Sequence, residues 1–287
     1  MDPGTGLALA SSALLGTAVV LANVGLRHLD PARGALVSIP STTLLLWLLA
    51  PLLYRGEGWN ATALAIFAVV GLIFPAVVTL LNFASNRITG PTIAGTVSST
   101  TPLFAVFGAV LFLGEPLTLA AAAGTAAIVL GVVALMARGD AVPRNWAGWV
   151  ILLPLAGAAI RGGSQATVKA GLALWPEPFV AVLVGYTVSC ATIFAAGRAL
   201  VPKDAAPRSR RGILWFVAVG FCNGLGVLAM YAALNAGQVS VVSPLVATYP
   251  LFTLALSALF LREERFGARV LLGVALTVAG VVVLARA

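Results

Sequence analysis

Apolar windows bounded by Arg, Asp, Pro or Gly recur ten times along this chain, near residues 4–26, 34–54, 61–83, 91–113, 117–137, 147–171, 178–200, 212–234, 239–261 and 267–285. A hydrocarbon core about 30 Å thick takes about 20 apolar residues per helix. Ten such helices leave only short connections within 287 residues, so no separate soluble domain fits. The runs are continuously apolar, whereas barrel strands alternate over about ten residues, and this selects helices. Charged residues make up 9% of the chain, against about 25% in a soluble domain. The chain predicts an all-α integral membrane protein of ten transmembrane helices.

The net charge of +8 does not point to nucleic acid, because the basic residues are scattered among short connections. Arg27, Arg33, Arg87, Arg138, Arg144, Arg198, Lys203, Arg208, Arg210, Arg211, Arg262, Arg265 and Arg269 all fall beside odd-numbered connections. Arg55 and Arg286 lie at even connections or tails, and Arg161 and Lys169 fall inside the sixth span. Cytoplasmic loops carry the excess of Lys and Arg, so the odd connections are expected in the cytoplasm and both termini outside. The first apolar run has no basic stretch before it, which predicts a retained N-terminus. Cys190 and Cys222 lack neighbours at metal or redox spacing and are read as packing residues.

The two halves of the chain repeat each other. Pro102-Leu103-Phe104 and Leu111-Phe112-Leu113-Gly114-Glu115 recur as Pro250-Leu251-Phe252 and Leu259-Phe260-Leu261-Arg262-Glu263. Gly124 and Gly131-Val132-Val133 recur as Gly273 and Gly280-Val281-Val282, and Gly25-Leu26 echoes in Gly171-Leu172. The expected units are residues 1–138, a cytoplasmic linker at 139–146, and residues 147–287. Five spans per unit is an odd number, so the second unit is expected upside down relative to the first. Such inverted repeats underlie alternating access around a site near the bilayer midplane. The four glycines, seven apart on the fifth and tenth spans, permit close helix approach, within the chain or in a dimer.

This set of residues resembles the EamA family of the drug/metabolite transporter superfamily: Pro-Leu-Phe, then Leu-Phe-Leu-Gly-Glu at an interhelical turn, then a Gly-spaced helix ending Gly-Val-Val. The Tyr231-Ala232-Ala233-Leu234 run adds to the likeness. The resemblance covers essentially the whole chain as two EamA units and implies a bacterial inner-membrane transporter. Within the family the chain looks most like the aromatic amino acid exporters. Arg262 departs from the pattern where Gly114 stands in the first copy.

Several residues are candidates for the work of transport. Arg161 lies mid-span, where a charge costs about 2.5 to 3.5 kcal/mol unless it meets a partner or cavity. Gln165 and Lys169 follow at four-residue steps, giving one polar helix face that suits a substrate carboxylate. The plain structural alternative has Lys169 reaching the interface and Arg161 bonding nearby carbonyls. Pro75, Thr79, Asn82 and Asn86 share a face of the third span, either lining a pathway or joining helices through their amides. Asn223, Tyr231 and Trp215 share a face of the eighth and are candidates for holding an apolar side chain, against a packing or anchoring role. Pro75, Pro102, Pro244 and Pro250 are candidate hinges, since each removes a backbone donor mid-membrane.

No Asp or Glu lies within a span, so a buried-carboxylate proton relay is not expected, and facilitation or exchange is. His28 reads as a loop residue. No metal or cofactor is expected, nor any enzyme activity, since no intramembrane nucleophile stands beside a base. The leading expectation is export of amino acids with aromatic or other apolar side chains by alternating access. The alternatives are carriage of phosphorylated metabolites or nucleotide sugars, and a non-transporting structural subunit. Partners are the small solute and the lipid bilayer; the sequence leaves monomer or homodimer open.

Overall fold

A computed structural model describes residues 3–54, 56, 58–89, 97–136, 148–200, 209–261 and 268–286. The expected linker 139–146, Arg262 and Glu263 lie outside the described residues. The regular elements among them are helical: α1 (Pro3–Gly25), α2 (Pro31–Leu53), α3 (Ala61–Ile73), α4 (Ala76–Thr89), α5 (Thr101–Leu113) and α6 (Leu119–Met136) form the first half. A 3₁₀ turn (Gly148–Ile151) leads into α7 (Leu152–Leu174), α8 (Pro178–Leu200), α9 (Arg210–Ala236), α10 (Val239–Val246), α11 (Tyr249–Leu261) and α12 (Ala268–Leu284). Among the described residues six segments are long and apolar enough to cross a membrane, including Ala61–Asn82 and Val239–Leu256, each of which joins two helices across a break. The sixth span, α7, is not one of them, because Arg161, Gln165 and Lys169 lower its hydropathy.

Helix starts follow from short polar side chains at the caps. Asp30 accepts from the Arg33 amide at 3.0 Å, Asn60 from Ala63 at 2.9 Å, Thr118 from Ala121 at 3.1 Å and Ser209 from Gly212 at 3.4 Å. Each satisfies one of the amides that a helix start leaves orphaned. Gly114 ends α5 with φ at +66°, a left-handed conformation that glycine adopts without steric cost.

Packing follows the sequence repeat. α1 lies on α9 as α7 lies on α3 and α4; α2 lies on α9 as α8 lies on α3. α1 meets α10 and α11 as α7 meets α5, while α2 with α8 and α6 with α12 pair across the two halves. The likeness reaches single atoms. A methyl group on Gly16 would stand 2.7 Å from the Tyr249 carbonyl and 2.8 Å from Phe252 Cβ. One on Gly162 would stand 2.7 Å from the Thr101 carbonyl and 2.8 Å from Phe104 Cβ. Thr101 and Tyr249 are the residues just before the repeated Pro-Leu-Phe, so each half lends a glycine to its own side of one interlock. The glycines of α6 and α12 interlock within the chain: Gly280 faces the Gly124 carbonyl and Gly273 the Gly131 carbonyl. Close approach here serves the fold of one protomer.

Three spans are broken near mid-membrane. The third breaks at Phe74-Pro75, between α3 and α4; the fourth turns at Ser99-Thr100 before α5; the ninth turns at Ala247-Thr248, between α10 and α11. Pro102 and Pro250 are the second residues of α5 and α11, while Pro244 lies inside α10.

Candidate functional site

The breaks face a shared cavity of about 370 Å³, in the lower part of the roughly 300–1,000 Å³ range of small-molecule sites. Its wall takes residues from both halves: Leu15 to Ala22 of α1 and Leu26 just beyond it, Ala35 to Thr42 of α2, Phe74 to Asn82 across the first break, and Ser98, Ser99 and Thr101 at the second. Val132, Arg161, Gln165, Tyr186, Phe216 to Met230 of α9, and Ser243 to Tyr249 at the third break complete it. The α1, α2 and α9 residues belong largely to the helix portions next to the odd-numbered connections, so the cavity lies on that side of the breaks.

Proline at each break deprives the carbonyl four residues earlier of its amide donor. Among the described residues, donors reach two of the three. Pro75 frees Gly71, and the Ser189 hydroxyl of α8 donates to the Gly71 carbonyl while accepting from the Ala76 amide at 3.4 Å. Pro102 frees Ser98, and Thr101 Oγ1 donates to the Ser98 carbonyl at 2.7 Å. Pro250 frees Val246, but Tyr249 stands in the place of Thr101, and a phenol cannot bend back to a carbonyl three residues earlier. The neighbouring Thr248 hydroxyl is committed to the Leu245 carbonyl at 2.7 Å and to Ser12 of α1 at 2.9 Å.

Two further acceptors in residues of the same cavity wall are unspent. Gln165 Oε1 and Ser243 Oγ are buried in residues 4% and 1% exposed and have no hydrogen-bond partner among the described residues. Arg161, half-buried one turn before Gln165, is the only charged side chain in the cavity wall among the described residues. Among the described residues no carboxylate lines the cavity to neutralise it.

The side of the even-numbered connections is knitted shut. Glu115, beyond the end of α5, accepts from the amides of Val239 and Ser240 at 2.8 and 3.0 Å and from the Ser240 hydroxyl at 2.9 Å. A first-half carboxylate thus caps the start of a second-half helix. Lys169 Nζ donates to the Leu234 and Gly237 carbonyls at the end of α9, at 2.6 and 2.9 Å, and the Glu115 charge acts on it from nearby.

Of the residues singled out from sequence, Arg161, Gln165, Thr79, Asn82, Asn223 and Pro75 come together on the wall. Thr79 Oγ1 is tied to its own helix through the Pro75 carbonyl at 2.8 Å. Lys169 is on the even-side seam, Trp215 is 36% exposed, and Tyr231, 4% exposed, packs with Tyr186 in the core. The Asn86 side chain lies outside the described residues. Sequence reasoning passed over Ser189, Phe216 and the capping role of Glu115, and noticed Ser243 only as a hydroxyl beside Pro244, not as a binding candidate. Ser243 carried one legible sign, a hydroxyl directly before a mid-span proline.

Two similar halves of broken and unbroken membrane helices close on a largely apolar cavity that carries a few polar groups, an architecture that membrane carriers built from inverted repeats share. The model of the EamA-like transporter family matches residues 2–137 and again 148–286, and the chain belongs to that family: it is a multi-pass membrane transporter of small molecules. A solved structure, described only as "Crystal structure of protein", has the same fold, with a TM-score of 0.80 over 99% of this chain and 98% of that chain at 18% identity. No curated protein matches the chain.

Proposed function

We propose that the chain is an inner-membrane exporter of amino acids with aromatic or other apolar side chains, working by facilitation or exchange. The observation that carries this reading is a single arginine in an otherwise uncharged cavity. One guanidinium without a carboxylate partner among the described residues calls for an anionic group on the substrate, which it binds as a planar fork. Lys169 is spent on two carbonyls, so the second cation that a phosphate would favour is not in the wall. Phe74, Phe216, Tyr186 and Tyr249 supply apolar and aromatic surface for the side chain. With the odd connections in the cytoplasm, this is the inward-facing state, loaded from inside, and the prolines at the breaks act as hinges for the outward swing. Among the described residues the cavity wall offers no carboxylate to carry a proton.

The test is counterflow of labelled phenylalanine into vesicles reconstituted with purified protein. Excess unlabelled phenylalanine or tryptophan should abolish it, and phosphorylated sugars should not. Arg161→Ala should lower flux about 100-fold at equal, monodisperse incorporation, the usual scale for leaving a buried charge unpaired. Wild-type flux in Arg161→Ala, or competition by phosphates alone, overturns the reading.

A further inference from the structure

We infer that the break in the ninth span is an ammonium-binding subsite, so that the carrier recognises its substrate as a zwitterion and rejects carboxylates lacking a free α-amino group. This rests on the proposed transport of amino acids and names which end of the substrate goes where.

Three acceptors belong to residues in the wall of the cavity that the break faces. Pro250 and Tyr249 leave the Val246 carbonyl without the donors that its first-half counterpart, Ser98, receives. Gln165 Oε1 and Ser243 Oγ are buried and unpartnered among the described residues, and both belong to the cavity wall. Buried acceptors without donors are costly, and a ligand bearing N–H groups removes that cost. The last turn of α10, Ser243 to Val246, also presents the negative end of a half-helix, as carriers do toward cations. An ammonium offers three donors for three acceptors.

The neighbouring charge decides which cation this is. Arg161 lies one helical turn from Gln165, about 6 Å along the axis. A free metal cation would be repelled by the guanidinium, whereas a zwitterion brings a carboxylate to Arg161 and an ammonium to Gln165 together. A phosphate or simple carboxylate would satisfy the arginine and leave the three acceptors bare.

The experiment uses the full chain in vesicles, with labelled phenylalanine in counterflow and three unlabelled competitors: phenylalanine, N-acetylphenylalanine and 3-phenylpropionate. Phenylalanine should compete at least about tenfold better than the two compounds without an ammonium, since a site built for donors discriminates against their absence. Ser243→Ala and Gln165→Leu should each raise the KM for phenylalanine roughly tenfold, yet leave inhibition by 3-phenylpropionate within about twofold. Gln165→Glu, which keeps the acceptor, should retain phenylalanine affinity. Equal competition by 3-phenylpropionate overturns the subsite while leaving carboxylate transport standing. Parallel loss of both ligands in the variants assigns Ser243 and Gln165 a structural role and overturns it too. Flux that requires sodium and ignores the amino group gives the acceptors to a metal ion. Absence of phenylalanine counterflow in wild type removes the underlying reading and the subsite with it.

Discussion

The fourth and ninth spans carry the same Pro-Leu-Phe and break at the same point, yet one break is chemically closed and the other open. In the fourth, Thr101 turns its hydroxyl back onto the carbonyl that Pro102 frees, at 2.7 Å. In the ninth, Tyr249 occupies that position, and a buried Ser243 hydroxyl, without a partner among the described residues, sits six residues earlier. Duplication thus supplied two equivalent bends, and substitution at a few positions gave one of them unsatisfied polar atoms. The backbone symmetry suits motion shared by the halves; the side-chain asymmetry suits a site that belongs to only one of them. The third break follows the fourth, since Ser189 closes the carbonyl freed by Pro75.

The symmetric part of this comparison is broken most severely at its glycines. Gly16→Leu wedges a side chain against Tyr249 and Phe252, and Gly162→Leu does the same against Thr101 and Phe104. Each overpacks a backbone contact rather than a flexible side chain, which costs up to about 3 kcal/mol or more. Both variants should lose monodisperse protein in detergent, or lower the apparent melting temperature by about the same amount. A large shift for one and none for the other would show that the two interlocks bear unequal load despite their matching distances.

A second prediction concerns the side on which the halves are joined. Glu115→Gln keeps the shape of the cap over Val239 and Ser240 but removes its charge, and charge-assisted bonds are roughly twice as strong as neutral ones. With Gln238→Cys as reporter on a background lacking Cys190 and Cys222, labelling by a membrane-impermeant maleimide should rise about tenfold when the cap is weakened. Unchanged labelling would make the cap a local helix stop rather than a seal between halves.

How much of this was written in the sequence varies with the kind of physics involved. Ten spans and a duplication were legible because burial in lipid leaves continuous apolar runs, and because Pro-Leu-Phe and Leu-Phe-Leu at fixed spacing survive as strings. The cavity wall was legible where a residue is costly in lipid: Arg161, Gln165, Asn82 and Asn223 announce themselves by polarity, and the structure brings them together. Lys169 shows the limit. It shares the periodic face of Arg161 and Gln165, but two turns further on the helix has left the cavity, and carbonyls at the end of α9 claim its ammonium. Periodicity assigns a face, not a depth. Trp215 and Tyr231 illustrate the same point on α9, one turned to the outside and one sunk in the core. Whether a hydroxyl is spent on its own helix, as in Thr79, or left without a partner among the described residues, as in Ser243, depends on neighbours no spacing rule reveals.

The open break can be closed by a single exchange. Tyr249→Thr places in the second half the hydroxyl that Thr101 provides in the first, within reach of the Val246 carbonyl. One of three ammonium acceptors is then occupied internally, and the KM for phenylalanine should rise about fivefold, the scale of one hydrogen bond of about 1 kcal/mol. Tyr249 also lends its ring to the wall, so Tyr249→Val, which removes the ring without adding the hydroxyl, is the reference, and the fivefold rise is read against it. A lowered KM would place the Val246 carbonyl outside the site.

The smallest expected effect is the one that separates wall from surroundings. Trp215 and Phe216 are adjacent on α9, both aromatic, and both close to Gly25 of α1. Only Phe216 lines the cavity; it is 4% exposed, against 36% for Trp215. Trp215→Ala should leave the KM for phenylalanine within about twofold, because surface substitutions away from a site change little. Phe216→Ala removes a buried ring that contacts both the cavity and the α1–α2 packing, so it should raise the KM and lower the melting temperature together. If the exposed tryptophan instead proved the more damaging of the two, the substrate would be meeting α9 from its outer face, and the route into the cavity would run between helices rather than from the end.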